Sequence, residues 1–81
     1  MAHHEVLSPL PGIFYRRPSP DAEPFVQEGA AVKPGDIIGL VEVMKQFSEI
    51  NADAAGKVVR FLVENEGAVE PGQPVLLIET A

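Results

Sequence analysis

The sequence contains no cysteine and no tryptophan, and its two histidines are adjacent, at His3 and His4. A chain without cysteine forms neither a disulfide framework nor a thiolate metal site. Two adjacent histidines do not make a metal site by themselves. We therefore interpret residues 1–7 as an N-terminal leader and predict no metal site.

Long apolar runs are also missing. The longest, Ile37–Val41, is far too short to span a bilayer. The first twelve residues have no apolar segment of the kind that a signal peptide requires. We expect a cytoplasmic protein with no membrane partner.

Basic residues are few: six lysines and arginines stand against twelve acidic residues, for a net charge of −6. Nucleic-acid binding needs a basic footprint, so this balance disfavours it. The same argument disfavours an anionic membrane surface. A modest negative charge is typical of a protein that docks transiently on other proteins.

The apolar segments are short and rich in β-branched residues, and turn-forming residues separate them. The 81 residues are enough for one domain. Eight prolines and seven glycines disfavour helices. Short strands at regular spacing predict an all-β barrel or sandwich.

The chain also contains an internal repeat. Val32–Ile38 resembles Val69–Val75, 37 residues further on, and Pro11–Phe14 resembles Ala55–Val58, 44 residues further on. Two β motifs packed face to face bury the apolar face of each. We predict a flattened sandwich with pseudo-twofold symmetry.

The offsets between the two halves locate an insertion. They fall from 44 to 38 between Tyr15 and Phe25, so the first half has six extra residues there. This loop, residues 17–24, holds three prolines, which favour a stiff, extended protrusion. A tolerated surface insertion is the alternative.

Lys45 occupies a special place in the repeat. Both offsets carry it onto a chain terminus, at a position just past Ala81 and at Met1. The first half should therefore turn back near Met44-Lys45 and place Lys45 at the tip of a hairpin. The alternative is a solvated lysine on one long strand. A tight hairpin turn favours glycine, asparagine or aspartate, so Met44 and Lys45 would be strained there, as functional residues often are.

The segment Glu42-Val43-Met44-Lys45-Gln46 resembles the biotin-attachment motif, whose usual form is Glu-Ala-Met-Lys-Met. The resemblance extends over nearly the whole chain, to the biotinyl domains of bacterial acetyl-CoA carboxylases, the biotin carboxyl carrier family. Ser8–Arg16 is similar to the opening of such domains, and Val69–Pro74 to their second half. Residues 17–24 resemble the protruding "thumb" of that group, through Pro18, Ser19, Pro20, Asp21 and Ala22.

This resemblance implies the barrel-sandwich hybrid fold, with two four-stranded sheets and a biotinyl domain over residues 8–81. It implies a non-catalytic carrier with biotin amide-linked to Lys45. Glu42, Val43, Met44 and Gln46 would present that lysine, and the thumb would reach over the biotin ring. The implied partners are a biotin protein ligase, a biotin carboxylase and a carboxyltransferase, in a system similar to the acetyl-CoA carboxylase of fatty acid synthesis.

Val43 and Gln46 depart from the usual motif, which has Ala and Met at those positions. Two other functions stay open: a lipoyl carrier on the same fold, and an interaction module that is never modified. Lipoyl domains usually have Asp before the lysine, where this chain has Met44. An enzyme is not expected, because the sequence shows no catalytic triad, phosphate loop or metal cluster.

Alternation along the predicted strands selects a set of core residues. We expect these side chains to be buried: Phe14, Val32, Ile38, Leu40, Val58, Phe61, Val69 and Leu77.

Overall fold

The computed structural model describes residues 2–80, and their regular structure consists of eight β-strands. The strands are β1 Ala2–Leu7, β2 Gly12–Tyr15, β3 Ala31–Val32, β4 Ile37–Val43, β5 Gln46–Asn51, β6 Gly56–Phe61, β7 Gly67–Val69 and β8 Pro74–Thr80. They form two four-stranded antiparallel sheets, in the orders β1-β8-β6-β3 and β5-β4-β2-β7. Residues 2–80 include no helix long and apolar enough to cross a membrane. The all-β fold of two four-stranded sheets is confirmed.

The two sheets are related by the sequence repeat. Exchanging each strand with the one four places away, β1 with β5 through β4 with β8, converts one strand order into the other. β4 and β8 have the same succession of buried and half-buried positions, and β1 and β5 likewise share one pattern. The repeat in the sequence is therefore a pseudo-twofold axis in the fold.

Two equivalent glycines, one in each half, allow the same close approach of neighbouring strands. A Cβ at Gly12 would collide with the backbone carbonyl of Glu42, and a Cβ at Gly56 with that of Glu79. In each half the strand thus passes so close to its neighbour that only glycine fits. At Gly12 this close approach fixes β2 against β4, the strand that leads to Lys45.

The core lies between the two sheets and contains Phe14, Val32, Ile38, Val58 and Val69 as predicted. Phe61 is half-buried and packs against it. The predictions for Leu40 and Leu77 are wrong, because both are only half-buried.

The physical reason is a pair of β-bulges. Ile38 on β4 and Val75 on β8 have no partner in the register with β5 and β1. An extra residue reverses the inward and outward alternation beyond it. Leu76 is therefore fully buried although it follows the buried Val75, and Leu77 turns away from the core.

The expectation of a leader before residue 8 is also wrong for the residues that the structure describes. Ala2–Leu7 forms β1 and pairs along its length with β8. Val6 is buried, and His4 Nε2 lies 2.7 Å from Asp53 Oδ1. The segment is an edge strand with one core residue; Met1 lies outside the described residues.

Neighbouring leucines on β8 test the bulge. We expect Leu76→Ala to cost about 2–5 kcal/mol of unfolding free energy, because it leaves a cavity in the core. Leu77→Ala, a matched change one residue away, should cost less than about half as much, because this side chain is only half-buried. Denaturant unfolding of both variants makes the comparison. Equal losses would contradict the bulged register.

Candidate functional site

Met44 and Lys45 form the connection between β4 and β5. β4 ends at Val43, β5 begins at Gln46, and these two residues are paired across the hairpin. The φ angles of Met44 and Lys45 are 52° and 66°. Positive φ at both central residues is what a type I′ turn requires. The hairpin predicted from the repeat is confirmed, and the single long strand is excluded.

This turn presents its side chains to solvent. Met44 is 91% exposed, and Lys45 and Gln46 are exposed as well. Glu42 and Val43, on the strand that leads into the turn, are half-buried. Within residues 2–80 the ion pairs join His3 to Glu79 and His4 to Asp53, so Lys45 takes part in neither. Its amine stands at the end of a rigid hairpin.

An outward-facing cluster of Tyr15, Glu42 and Phe47 stiffens the base of the hairpin. Phe47 lies opposite Glu42 in the β4–β5 register. The Tyr15 hydroxyl donates a 2.8 Å hydrogen bond to Glu42 Oε1, and the Tyr15 and Phe47 rings are 5.8 Å apart at an angle of 57°. Such tilted aromatic pairs stabilise packing beyond the area that they bury. The motif glutamate thus ties β2 to the hairpin.

The hydrogen bond to Glu42 raises the pKa of Tyr15 above its ordinary value of 10.0. Burial and the negative charges of Glu42 and Glu66 add to this effect. Each of these causes disfavours the phenolate. The hydroxyl therefore remains a donor at neutral pH.

The thumb begins where β2 ends, and Arg16 anchors it. The Phe25 amide donates to the Arg16 carbonyl oxygen (2.9 Å), which joins the two ends of residues 17–24. The Arg16 amide donates to Asn65 Oδ1, and its guanidinium donates to the Val63 carbonyl oxygen. The guanidinium also lies 4.4 Å from the centroid of the Phe61 ring, a cation–π distance.

The loop beyond this anchor is not extended throughout. The Ala22 amide donates to the Ser19 carbonyl oxygen (3.1 Å), which closes a turn at its tip. Pro20 therefore lies inside a turn rather than in a straight arm, and Pro18 precedes that turn.

A cleft of about 560 Å³ separates the thumb from the hairpin. Pro18, Ser19 and Pro20 line it on the thumb side, and Phe47 lines it on the hairpin side, two residues after Lys45. Four more residues complete it: Tyr15, Arg17, Asn65 and Glu66. Its walls combine apolar rings with a few polar groups, which is typical of a small-molecule site.

The structure brings together only part of the predicted set. Three thumb residues join the cleft, whereas Asp21 and Ala22 do not line it. Val43, Met44 and Gln46 border a smaller cleft of about 380 Å³, together with Leu10 and Ser48.

The sequence did not identify five residues as part of the site, although the first of them lies in the predicted thumb: Arg17, Tyr15, Phe47, Asn65 and Glu66. One feature of the sequence could have identified Phe47, because it is a large apolar residue two positions from the hairpin tip. In the structure its side chain is 57% exposed. Asn65 and Glu66 come from the second half of the repeat, and only the folded structure brings them to this end.

The Tyr15–Glu42 contact makes the stability depend on pH. A folded-state pKa raised above 10.0 means that the hydrogen bond contributes fully below pH 10 and is lost as the pH rises through the raised pKa. We expect Tyr15→Phe to be less stable than the parent near pH 8, and the difference to shrink above pH 10. Denaturant unfolding of both proteins over this range measures it. A difference that does not change with pH would contradict the assignment.

Comparison with curated proteins gives relatives that are each called biotin carboxyl carrier protein of acetyl-CoA carboxylase. The relative from Haemophilus influenzae is 46% identical over 79 residues, which cover 98% of this chain and 51% of the relative. The relative from Pseudomonas aeruginosa is 45% identical over 73 residues, which cover 90% of this chain and 47% of the relative. The chain thus spans about half the length of the curated relatives that it matches.

Among solved structures, the urea carboxylase of Kluyveromyces lactis matches with a TM-score of 0.78 and 26% identity. The match covers 98% of this chain and 6% of that much longer one, so the resemblance is to one domain. The model of the biotin/lipoyl family, described as "biotin-requiring enzyme", matches residues 4–78. Nearly the whole described chain, both sheets and the Lys45 hairpin included, is covered by this match, and the protein belongs to the biotin/lipoyl attachment domain family.

Proposed function

We propose that this chain is the biotinyl domain of a biotin carboxyl carrier, with biotin amide-linked to Nζ of Lys45. The observation that carries the proposal is Lys45 itself, exposed at a two-residue turn inside the segment Glu42–Gln46. The relatives from Haemophilus influenzae and Pseudomonas aeruginosa, named as such carriers, support the same function.

The other two lysines lie in different settings. The Lys33 amide donates to Asp36 Oδ2 in the Pro34-Gly35 turn, and Lys57 lies within β6. Neither stands at the tip of a hairpin. Of the three lysines, Lys45 is the one in a two-residue turn between paired strands, where a ligase can reach it from the end of the hairpin.

Amide formation requires the Lys45 amine in its unprotonated form, and we assign the removal of its proton to the biotin protein ligase. The ε-amine then attacks the acyl carbon of biotinyl-adenylate and forms an amide, with AMP as the leaving group. The hairpin positions the amine, because its strained turn holds Lys45 away from the two sheets.

The cleft between the thumb and Phe47 fits the biotin head group. Its volume of about 560 Å³ and its lining of prolines, a phenylalanine and polar side chains suit a small ring system with a polar edge. Biotin supplies a ureido nitrogen that accepts and returns a carboxyl group. We expect the residues that line the cleft to contact the ring and to limit its exposure to water.

We place this carrier between a biotin carboxylase and a carboxyltransferase, in the cytoplasm, within an acetyl-CoA carboxylase-like system of fatty acid synthesis. Because the biotin is tethered to the domain, it meets each active site locally rather than from bulk solution, at effective concentrations of about millimolar. The molecule measures 38 × 27 × 20 Å, so an exposed tip can enter an active site while the sheets remain outside.

Lys45→Arg should abolish biotinylation and leave the fold intact, because Arg keeps the charge and lacks the reactive primary amine. Lys33→Arg and Lys57→Arg are matched controls and should be fully modified. Avidin binding after co-expression with a biotin ligase, with intact mass, reports the outcome. Retained biotin in Lys45→Arg would sink the proposal, and a lipoyl mass increment on the parent would favour the lipoyl carrier.

Trimming the thumb tests its role. Replacing residues 17–24 with Asn-Gly removes six residues and bridges Arg16 and Phe25, whose backbones already share a hydrogen bond. We expect unfolding to change little, because the second half of the fold has no such loop. Carboxyl transfer by the biotinylated domain should change in at least one half-reaction. Parental rates in both would make the thumb a passive loop.

A further inference from the structure

We propose that the Arg17 guanidinium binds the carboxylate that the biotin head group carries as cargo, so that the thumb cleft retains the loaded arm in preference to the empty one. This inference rests on the proposed function. It adds a residue and a selectivity that the attachment motif does not contain.

Arg17 stands at the base of the thumb and lines the cleft with Phe47. The side chain is half-buried, and its Nε is buried without a hydrogen-bond partner within residues 2–80. Arg16 Nε is likewise buried without a partner in the described part of the chain, so this feature does not distinguish the two arginines. What distinguishes Arg17 is its place in the lining of the cleft.

The neighbouring Arg16 shows what a structural arginine looks like here. Its guanidinium donates to the Val63 carbonyl oxygen and covers the Phe61 ring, and Arg16 does not line the cleft. Arg17 is in neither of the ion pairs formed within residues 2–80. Arg16 therefore anchors the thumb, whereas Arg17 is available to a ligand in the cleft.

The positive charge of Arg17 favours an anionic ligand in the cleft. Arg17 is the one basic residue among those that line it. Amide formation removes the charge of Lys45, so Arg17 remains as the cation beside the arm. A guanidinium pairs with a carboxylate through two parallel N–H···O bonds, whereas an unloaded ureido ring offers one carbonyl oxygen.

Glu66 opposes this attraction. It lines the same cleft, and its charge is one cause of the raised pKa of Tyr15. An anion in the cleft therefore meets one favourable and one unfavourable charge. Removing the charge of Glu66 should strengthen retention of the loaded arm, which gives the test a change of opposite sign.

Preferential retention of the loaded arm would protect its carboxyl group. A site shifts an equilibrium only by its differential affinity for two states, and here the states differ by one carboxylate. A cleft that holds the loaded head group shields the cargo from water while the domain moves between partners. A cleft indifferent to the cargo would retain the empty arm equally.

Arginine side-chain NMR tests the proposal directly, because the chain has three arginines, Arg16, Arg17 and Arg60. The Nε–H signals are assigned from single variants and followed in the unmodified, biotinylated and carboxylated domain. Biotin carboxylase with ATP and bicarbonate provides the carboxylated form. We expect the Arg17 signal to move on carboxylation and those of Arg16 and Arg60 to stay. An unmoved Arg17 signal, or an equal shift with uncarboxylated biotin, overturns the proposal.

The lifetime of the loaded arm is a second readout. Loss of labelled carboxyl group from the isolated domain should be at least about threefold faster in Arg17→Gln than in the parent, which corresponds to a partly exposed ion pair. Arg60→Gln removes the same charge from an exposed position on β6 and should match the parent. Arg17→Lys should lie between, and Glu66→Gln should be slower. Equal lifetimes in Arg17→Gln and Arg60→Gln contradict the proposal.

Intact mass separates this inference from the function on which it rests. Every sample is first shown to carry one biotinyl group. A domain that is never biotinylated overturns both the function and the inference. The inference alone is overturned if the domain is biotinylated but its Arg17 signal does not move on carboxylation and the cargo lifetime is unchanged in Arg17→Gln.

Discussion

The left-handed turn at Met44-Lys45 is the constraint on which the site depends. Two side-chain-bearing residues with positive φ cost about 1–2 kcal/mol each relative to ordinary backbone. Hydrogen-bonded pairing of β4 with β5 on both sides of the turn keeps the chain there. Strain that persists because the surroundings impose it is often part of a function. Here it fixes where the Lys45 amine leaves the body.

The two ends of the sandwich differ although the repeat relates them. In the first half Val43 pairs with Gln46, and in the second half Thr80 pairs with Ala2 at the equivalent position. The first pair is joined by a two-residue turn that carries the lysine, whereas the strands of the second pair, β8 and β1, are not consecutive along the chain. The thumb adds a second asymmetry, because it follows β2 and has no equivalent after β6. Together they convert a nearly symmetric sandwich into a molecule with one chemically distinct end.

Strained backbone is concentrated at this end. Among residues 2–80, the non-glycine residues with positive φ are Met44, Lys45 and Glu66. Two form the hairpin turn, and the third lines the cleft beside it. Tyr15 and Glu42 connect these parts through a hydrogen bond, so the motif glutamate supports both the hairpin and the wall of the cleft.

Much of this architecture could be predicted from the sequence, because a repeat constrains both halves at once. The offsets of the repeat predicted the hairpin at Met44-Lys45 and the insertion after Tyr15. The bulges at Ile38 and Val75 break the strict alternation of buried and exposed residues, so the prediction that Leu77 is buried was wrong. Nothing in the residue types at these positions marks an extra residue.

Residues 2–7 carry no strand signal in the sequence, because β1 buries a single side chain, Val6, and therefore shows no apolar alternation. The cleft could not be predicted, because Asn65 and Glu66 reach Arg17 and Phe47 only through the packing of the two halves.

We expect the fold to present Lys45, and no other amine, for modification. Tandem mass spectrometry of the parent domain after treatment with a biotin ligase tests this expectation. It should find one biotinyl group, with fragment ions that place it on Lys45. Biotin on Lys33, on Lys57 or on the N-terminal amine, with Lys45 unmodified, would contradict it.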